Sequence, residues 1–152
     1  MSDCIRNEDL ITIITYSGKS RLVLPPTNGS NPELILRVIA ELNIQGLSDA
    51  NAGLTLGYET ALKSYIKGGN NRILLITDGK FEISRRTHNL IKKGRKKGLY
   101  LSAFYFDEKE YPINKDNLQP LTELGGGAYR YIQPENAEKT LLIEAQSFIK
   151  GN

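Results

Sequence analysis

The stretch Arg72 to Gly79, RILLITDG, constrains the fold of this chain more than any other. Ile73 to Ile76 is an unbroken apolar run that stops abruptly at Thr77-Asp78-Gly79. A run so short and so continuous is expected to be a strand buried on both faces, as in a parallel sheet. It delivers one carboxylate, Asp78, to the strand's carboxyl end. In open α/β sheets that edge is where ligands bind.

The flanking sequence fits an α/β chain. Residues 9–16, DLITIITY, read as a strand, Ser17-Gly18-Lys19 as a turn, and 20–24 as a second strand. The short connection predicts a hairpin, ended by Pro25-Pro26. Ser30 and Glu33 around Pro32 suggest a capping box, followed by Ile35, Val38, Ile39 and Leu42 at helical spacing. A second helix is expected over 50–67, with Leu54, Tyr58, Ala61, Leu62 and Tyr65 on one face and Gly68-Gly69 as its stop. A basic helix over 84–97, slackened at Gly94, precedes a strand over 99–106, LYLSAFYF. Then come a charged loop over 107–115, a short helix over 117–124 with Pro120 in its first turn, a strand over 128–132 and a helix over 135–149. From residue 50 onward helices and strands alternate. That order calls for parallel strands, right-handed crossovers and a three-layer, doubly wound α/β sheet with helices on both faces.

A chain of 152 residues is the size of one domain, and no linker, repeat or low-complexity segment divides it; a single domain over 1–152 is expected. No apolar run approaches the ~18 residues of a membrane span. The opening MSDCIRNED lacks the apolar region of a secretion signal, which leaves the compartment open. A lone cysteine, Cys4, excludes an intrachain disulfide and a multi-cysteine zinc site, and a lone histidine, His88, excludes paired-histidine metal motifs. A net charge of +3 implies no nucleic acid by itself.

In this order the stretches DLITIITYSGKSRLVLPPT, IQGLSDANAGLTLGYE, RILLITDG, LYLSAFYF and GGGAYRYI resemble the bacterial von Willebrand factor type A domain over nearly the whole chain. They look like the family's second and third strands, its threonine-bearing loop and following helix, and its fourth, fifth and sixth strands. The resemblance implies a protein-binding domain rather than an enzyme, with a divalent cation at the carboxyl ends of the strands. In bacteria such domains are often associated with the cell envelope. Asp78 matches the family's strand-terminal aspartate, and Ser48 stands at the threonine position with its hydroxyl kept. The family's Asp-x-Ser-x-Ser motif and the first strand that carries it are absent. The chain is therefore expected to be N-terminally truncated relative to the family, with an incomplete metal-ion-dependent adhesion site. The missing strand is central, between those matched by 9–16 and 72–77. Three outcomes stay open: a longer protein supplies it, the flanking strands pair directly, or another chain supplies it by association at the unpaired edges.

Each candidate residue also has a plainer role. Asp78-Gly79 is a common turn pair. Ser48 or Asp49 suits the N-cap of the following helix. One carboxylate and one hydroxyl would bind Mg²⁺ or Mn²⁺ weakly, because such ions take near-octahedral oxygen ligation. Asp107, Glu108 and Glu110 read as solvated loop charge. Arg85, Arg86, Lys92, Lys93, Arg95, Lys96 and Lys97 suit the solvated outer face of a helix, and equally a metal-independent surface for an acidic partner, phosphate or nucleic acid. No aromatics interleave them as in a single-strand platform, so nucleic acid is not expected. Gly68-Gly69 and Gly125-Gly126-Gly127 lack phosphate-loop spacing. The tyrosines within elements (Tyr16, Tyr58, Tyr65, Tyr100, Tyr105, Tyr129 and Tyr131) suit core or groove packing. A rival reading makes Asp78 the nucleophile of a small phosphotransfer or phosphatase-like domain. Such families want further carboxylates or a late-strand lysine, where this chain has Asp107 after LYLSAFYF.

Overall fold

In the computed structural model residues 5–42, 47–78, 82–106, 115–136 and 139–140 are described. The chain divides into two compact units, Met1–Thr60 and Ala61–Asn152. Cys4, Gly79, the acidic loop with Asp107, Glu108 and Glu110, and most of the expected last helix lie outside the described residues.

In the first unit, β1 (Leu10–Thr15) and β2 (Arg21–Asn28) form the expected antiparallel hairpin. Gly18, at φ +71°, supplies the left-handed turn between them. β2 does not end at Pro25-Pro26 as expected. Ile11 faces Thr27 and Ile13 faces Leu24, so Thr12 stands opposite both prolines in a bulge. A bulge on a strand paired on one side only tolerates two residues without an N–H.

The capping box also does not form. α1 (Pro32–Ala40) starts on Pro32 with Asn31 at the N-cap and no side-chain cap bond. The Ser30 N–H instead donates to Asn28 Oδ1 at 3.0 Å. Ile35 is buried, whereas Ile39, expected on the same face, is exposed.

α2 (Ala50–Lys63) is capped by Asp49, whose Oδ1 accepts from the Ala52 N–H at 3.0 Å. A Cβ on Gly53 would lie 2.5 Å from Tyr16 Cβ, so the helix backbone rests directly on that tyrosine. Leu54 and Tyr58 are buried as the spacing predicts. The helix ends at Lys63, short of the expected boundary at residue 67. The Asn71 side chain captures the next turn, accepting from the Ile66 N–H and donating to the Ile66 and Gly69 carbonyls. Tyr65 is thereby left on the surface.

The second unit is a parallel sheet in the order β3 (Asn71–Thr77), β4 (Leu99–Phe106), β5 (Gly126–Ile132). The run expected to be buried on both faces is not. Leu75 and Thr77 of β3 are buried, but Leu74 and Ile76 are 44% and 54% exposed. Among the described strands β3 pairs only with β4, and β1 only with β2. The strand buried on both faces is β4, which lies between β3 and β5. Its one polar core residue is used: Ser102 Oγ accepts from the Ala128 N–H at 3.1 Å and pins β5.

α3 (Arg85–Lys96) is capped by Ser84, whose Oγ accepts from the Thr87 N–H at 3.2 Å. Gly94 does not slacken it; that position is buried inside a continuous helix. α4 (Lys115–Gly125) begins earlier than expected, which puts Pro120 in its interior rather than its first turn. α3 and α4 pack on each other and on β4. Arg95 Nη1 donates to the Glu123 carbonyl at 2.9 Å and ties the two helices together. The result is the expected mixed α/β arrangement with a parallel sheet.

Candidate functional site

Asp78 follows the buried Thr77 and is exposed at the carboxyl end of β3. Thr77 pairs with Tyr105 near the end of β4, and Tyr105 pairs with Tyr131 near the end of β5. Asp78 thus stands at the carboxyl edge of three parallel strands, the edge to which its sequence position assigns it.

Beside it the same edge carries a cluster of phenols, tyrosines expected from the sequence to serve packing. The Tyr105 and Tyr131 rings lie 6.1 Å apart, tilted by 34°. Burial first, then the neighbouring Tyr105 and Tyr131, pushes the Tyr129 phenol above its ordinary value. The signal is the alternation in AYRYI, which at strand period 2 puts Tyr129 and Tyr131 on one face.

Ser48 belongs to the first unit. It forms an isolated antiparallel bridge with Ser17, flanked by Gly18 N–H to the Leu47 carbonyl and Asp49 N–H to the Tyr16 carbonyl, both 2.8 Å. This fixes an exposed Ser48 just ahead of α2 and leaves the capping role to Asp49. Ser48 and Asp78 fall in separate units.

Among the described residues no group of three or more His, Cys, Asp or Glu side chains could hold a metal ion. One carboxylate and one hydroxyl supply two oxygens toward the six or so that Mg²⁺ requires.

On α3, Thr87, Ile91 and Gly94 face inward. Arg85, Arg86, His88, Lys92, Lys93, Arg95, Lys96 and the C-cap Lys97 are exposed. Arg95 is engaged with α4, so it belongs to the architecture as well as to the basic surface.

Residues 1–80 match the von Willebrand factor type A domain family. The chain belongs to that family. Its members are generally protein-interaction modules. The matched region holds both the Ser48 loop and the strand that ends at Asp78. Over 150 residues the chain is 37% identical to YfbK, an uncharacterised protein of Escherichia coli K12. That alignment covers 95% of this chain and 26% of YfbK, so the chain spans about a quarter of that relative's length.

Two solved structures share the fold. The conserved hypothetical protein BatB from Bacteroides thetaiotaomicron superimposes with a TM-score of 0.73 at 18% identity, covering 99% of this chain and 83% of that one. A von Willebrand factor type A structure from Catenulispora acidiphila gives 0.75 at 15% identity, covering 96% and 35%. No helix among the described residues of this von Willebrand factor type A chain is long and apolar enough to cross a membrane.

Proposed function

We propose that this chain is a non-catalytic protein-binding domain of the von Willebrand factor type A kind, with an incomplete metal-ion-dependent adhesion site. In this reading 1–152 is one such domain; the family match over 1–80 covers the first compact unit and extends into the start of the second. In the proposal Asp78 and Ser48 belong to the ligand set, and no Asp-x-Ser-x-Ser occurs within these 152 residues. The observation that carries this reading is the placement of Asp78. It is an exposed carboxylate at the carboxyl edge of a parallel sheet, and among the described residues no group of three or more His, Cys, Asp or Glu could hold a metal ion. The partner is a protein. Self-association through the strand edges is a second form of the same pairing, favoured by the exposed Leu74 and Ile76 of β3.

Isothermal titration of the chain with Mg²⁺ and with Mn²⁺ tests the site. The expected result is no binding in the micromolar range. Micromolar affinity that disappears in Asp78→Ala would overturn the reading of an incomplete site. Covalent labelling by acetyl phosphate that requires Asp78 would overturn the non-catalytic reading.

A further inference from the structure

The exposed cations of α3 form two rows with the same spacing. An α-helix turns ~100° and rises ~1.5 Å per residue. Arg85, Lys92 and Lys96, at i, i+7 and i+11, therefore lie within about 20° of one line. Arg86, Lys93 and Lys97 repeat the same spacing on a second line ~100° further round. Asn89, also exposed, falls between the rows.

This face is unfavourable by itself. Arg85 and Arg86 sit in the first turn, against the helix dipole. Lys92 and Lys96, and Lys93 and Lys97, are like-charged i, i+4 pairs. No acidic residue occurs from Ser84 to Lys97 to offset them. Among the described residues none of these six cations has an ion pair or a side-chain hydrogen bond, in contrast to Arg95.

We propose that this face is a docking surface for an extended acidic polypeptide segment, and that it works independently of Asp78. In an extended chain, alternate side chains point to opposite sides and recur on each side every ~6.6 Å. Along the axis the two lysines of each row, four residues apart, are separated by ~6 Å, and the row's arginine lies ~10.5 Å before the first of them. A segment lying over Asn89 thus sends odd carboxylates to one row and even carboxylates to the other. The Asn89 amide, with both a donor and an acceptor, faces its backbone. Arg85 to Lys97 spans ~18 Å, the length of about five or six extended residues.

Other polyanions match this surface less well. The exposed face has no aromatic on which a base would stack. It has no exposed apolar residue to enter a bilayer, and rows ~100° apart turn away from a common plane.

The test is fluorescence anisotropy of a labelled eight-residue Asp/Glu peptide with the full chain, at low and physiological salt. Binding is expected to weaken with salt and to fall ~10-fold or more in Arg85→Gln/Lys92→Gln/Lys96→Gln, and again in Arg86→Gln/Lys93→Gln/Lys97→Gln. The charge-keeping Lys92→Arg/Lys96→Arg variant should bind as the parent does. Circular dichroism should show all variants equally folded, since every changed residue is exposed. Asp78→Ala should not weaken peptide binding, which separates this surface from the proposed adhesion site. The proposal is overturned by no binding, or by binding indifferent to both rows. Tighter binding of an equally charged oligonucleotide or of phosphatidylserine vesicles would also overturn it.

Discussion

Replacing Tyr58 with phenylalanine should make this protein more stable. Tyr58 is fully buried in α2, and among the described residues its hydroxyl has no hydrogen-bond partner. A buried hydroxyl without a partner costs ~1–3 kcal/mol in protein mutational data. Phenylalanine keeps the ring and its packing and leaves a gap of one oxygen. Subtracting a small term for that gap leaves a net gain of about 1 kcal/mol, or ~2–4 °C in Tm for a chain of this size.

A second signature lies at alkaline pH. Burial pushes the Tyr58 phenol above its ordinary 10.0, so the folded protein holds that proton at pH values where the unfolded chain has lost it. The folded state binds more protons there, and stability falls as pH rises above the unfolded value, by up to ~1.4 kcal/mol per unit. Below that value the contribution is complete. The phenylalanine variant lacks this slope, so its advantage should widen above pH 10 and stay constant below pH 9. Urea melts of both proteins at pH 7, 9, 10 and 11 read both effects, and the other titrating groups cancel in the difference. A variant less stable by 1 kcal/mol or more at pH 7, with alkaline limbs parallel to the parent's, would refute the argument and mean that the hydroxyl is hydrogen-bonded.

Two further substitutions probe the frame around the site. A Cβ at Gly127 would stand 2.1 Å from the Leu101 carbonyl oxygen, which belongs to the backbone of the central strand and cannot move aside. Gly127→Ala should therefore cost ~3 kcal/mol or more in urea unfolding, and a loss under ~1 kcal/mol would show that β5 shifts freely on β4. At the other end of the chain, hydrogen bonds from Arg6 at 2.7 and 2.9 Å hold the Asp9 carboxyl below its ordinary 3.8. The stability Asp9 adds is present above that value and lost as pH falls through the lowered one. Arg6→Ala should flatten the acid limb and raise the Asp9 pKa by carbon-detected NMR titration; an unmoved pKa would sink the assignment.

The elements are legible where apolar period and punctuation agree. Ser84 and Gly98 bracket α3, and LYLSAFYF reads as a strand by any pattern. Burial on both faces falls on a different strand from the one the sequence suggests, because it depends on rank in the sheet. ILLI and LYLSAFYF are both largely apolar, but only β4 has a neighbour on each side among the described strands. Pro25-Pro26 reads as a stop because proline removes a ladder donor, and no local pattern reveals that a bulge opposite Thr12 absorbs both. Tyr65 is expected to pack because its spacing continues that of Tyr58. The Asn71 side chain takes over the turn around Ile66 and ends the helix first. The carboxyl-edge position of Asp78 is readable from one stretch of sequence. The phenols beside it are less so, since Tyr105 and Tyr131 meet only through the β4–β5 register.

The chain order also sets how independent the two candidate surfaces are. β3 ends just before Asp78, α3 returns along the sheet, and β4 starts at Leu99, so the amino end of α3 follows the carboxyl edge and its last turn leads back to the opposite edge. Arg85 and Arg86 lie toward the Asp78 side, while Lys96 and Lys97 lie up to ~18 Å further along the helix. That separation is about twice the ~8 Å screening length at physiological salt. A change of charge at Asp78, by substitution or by a bound cation, is therefore felt at Arg85 and Arg86 and is largely screened from the lysines of the last turn. A partner whose affinity followed both Asp78 and the lysines equally would have to touch both ends of the second unit at once. One governed by the lysines alone would use this domain through its helix face, independently of Asp78.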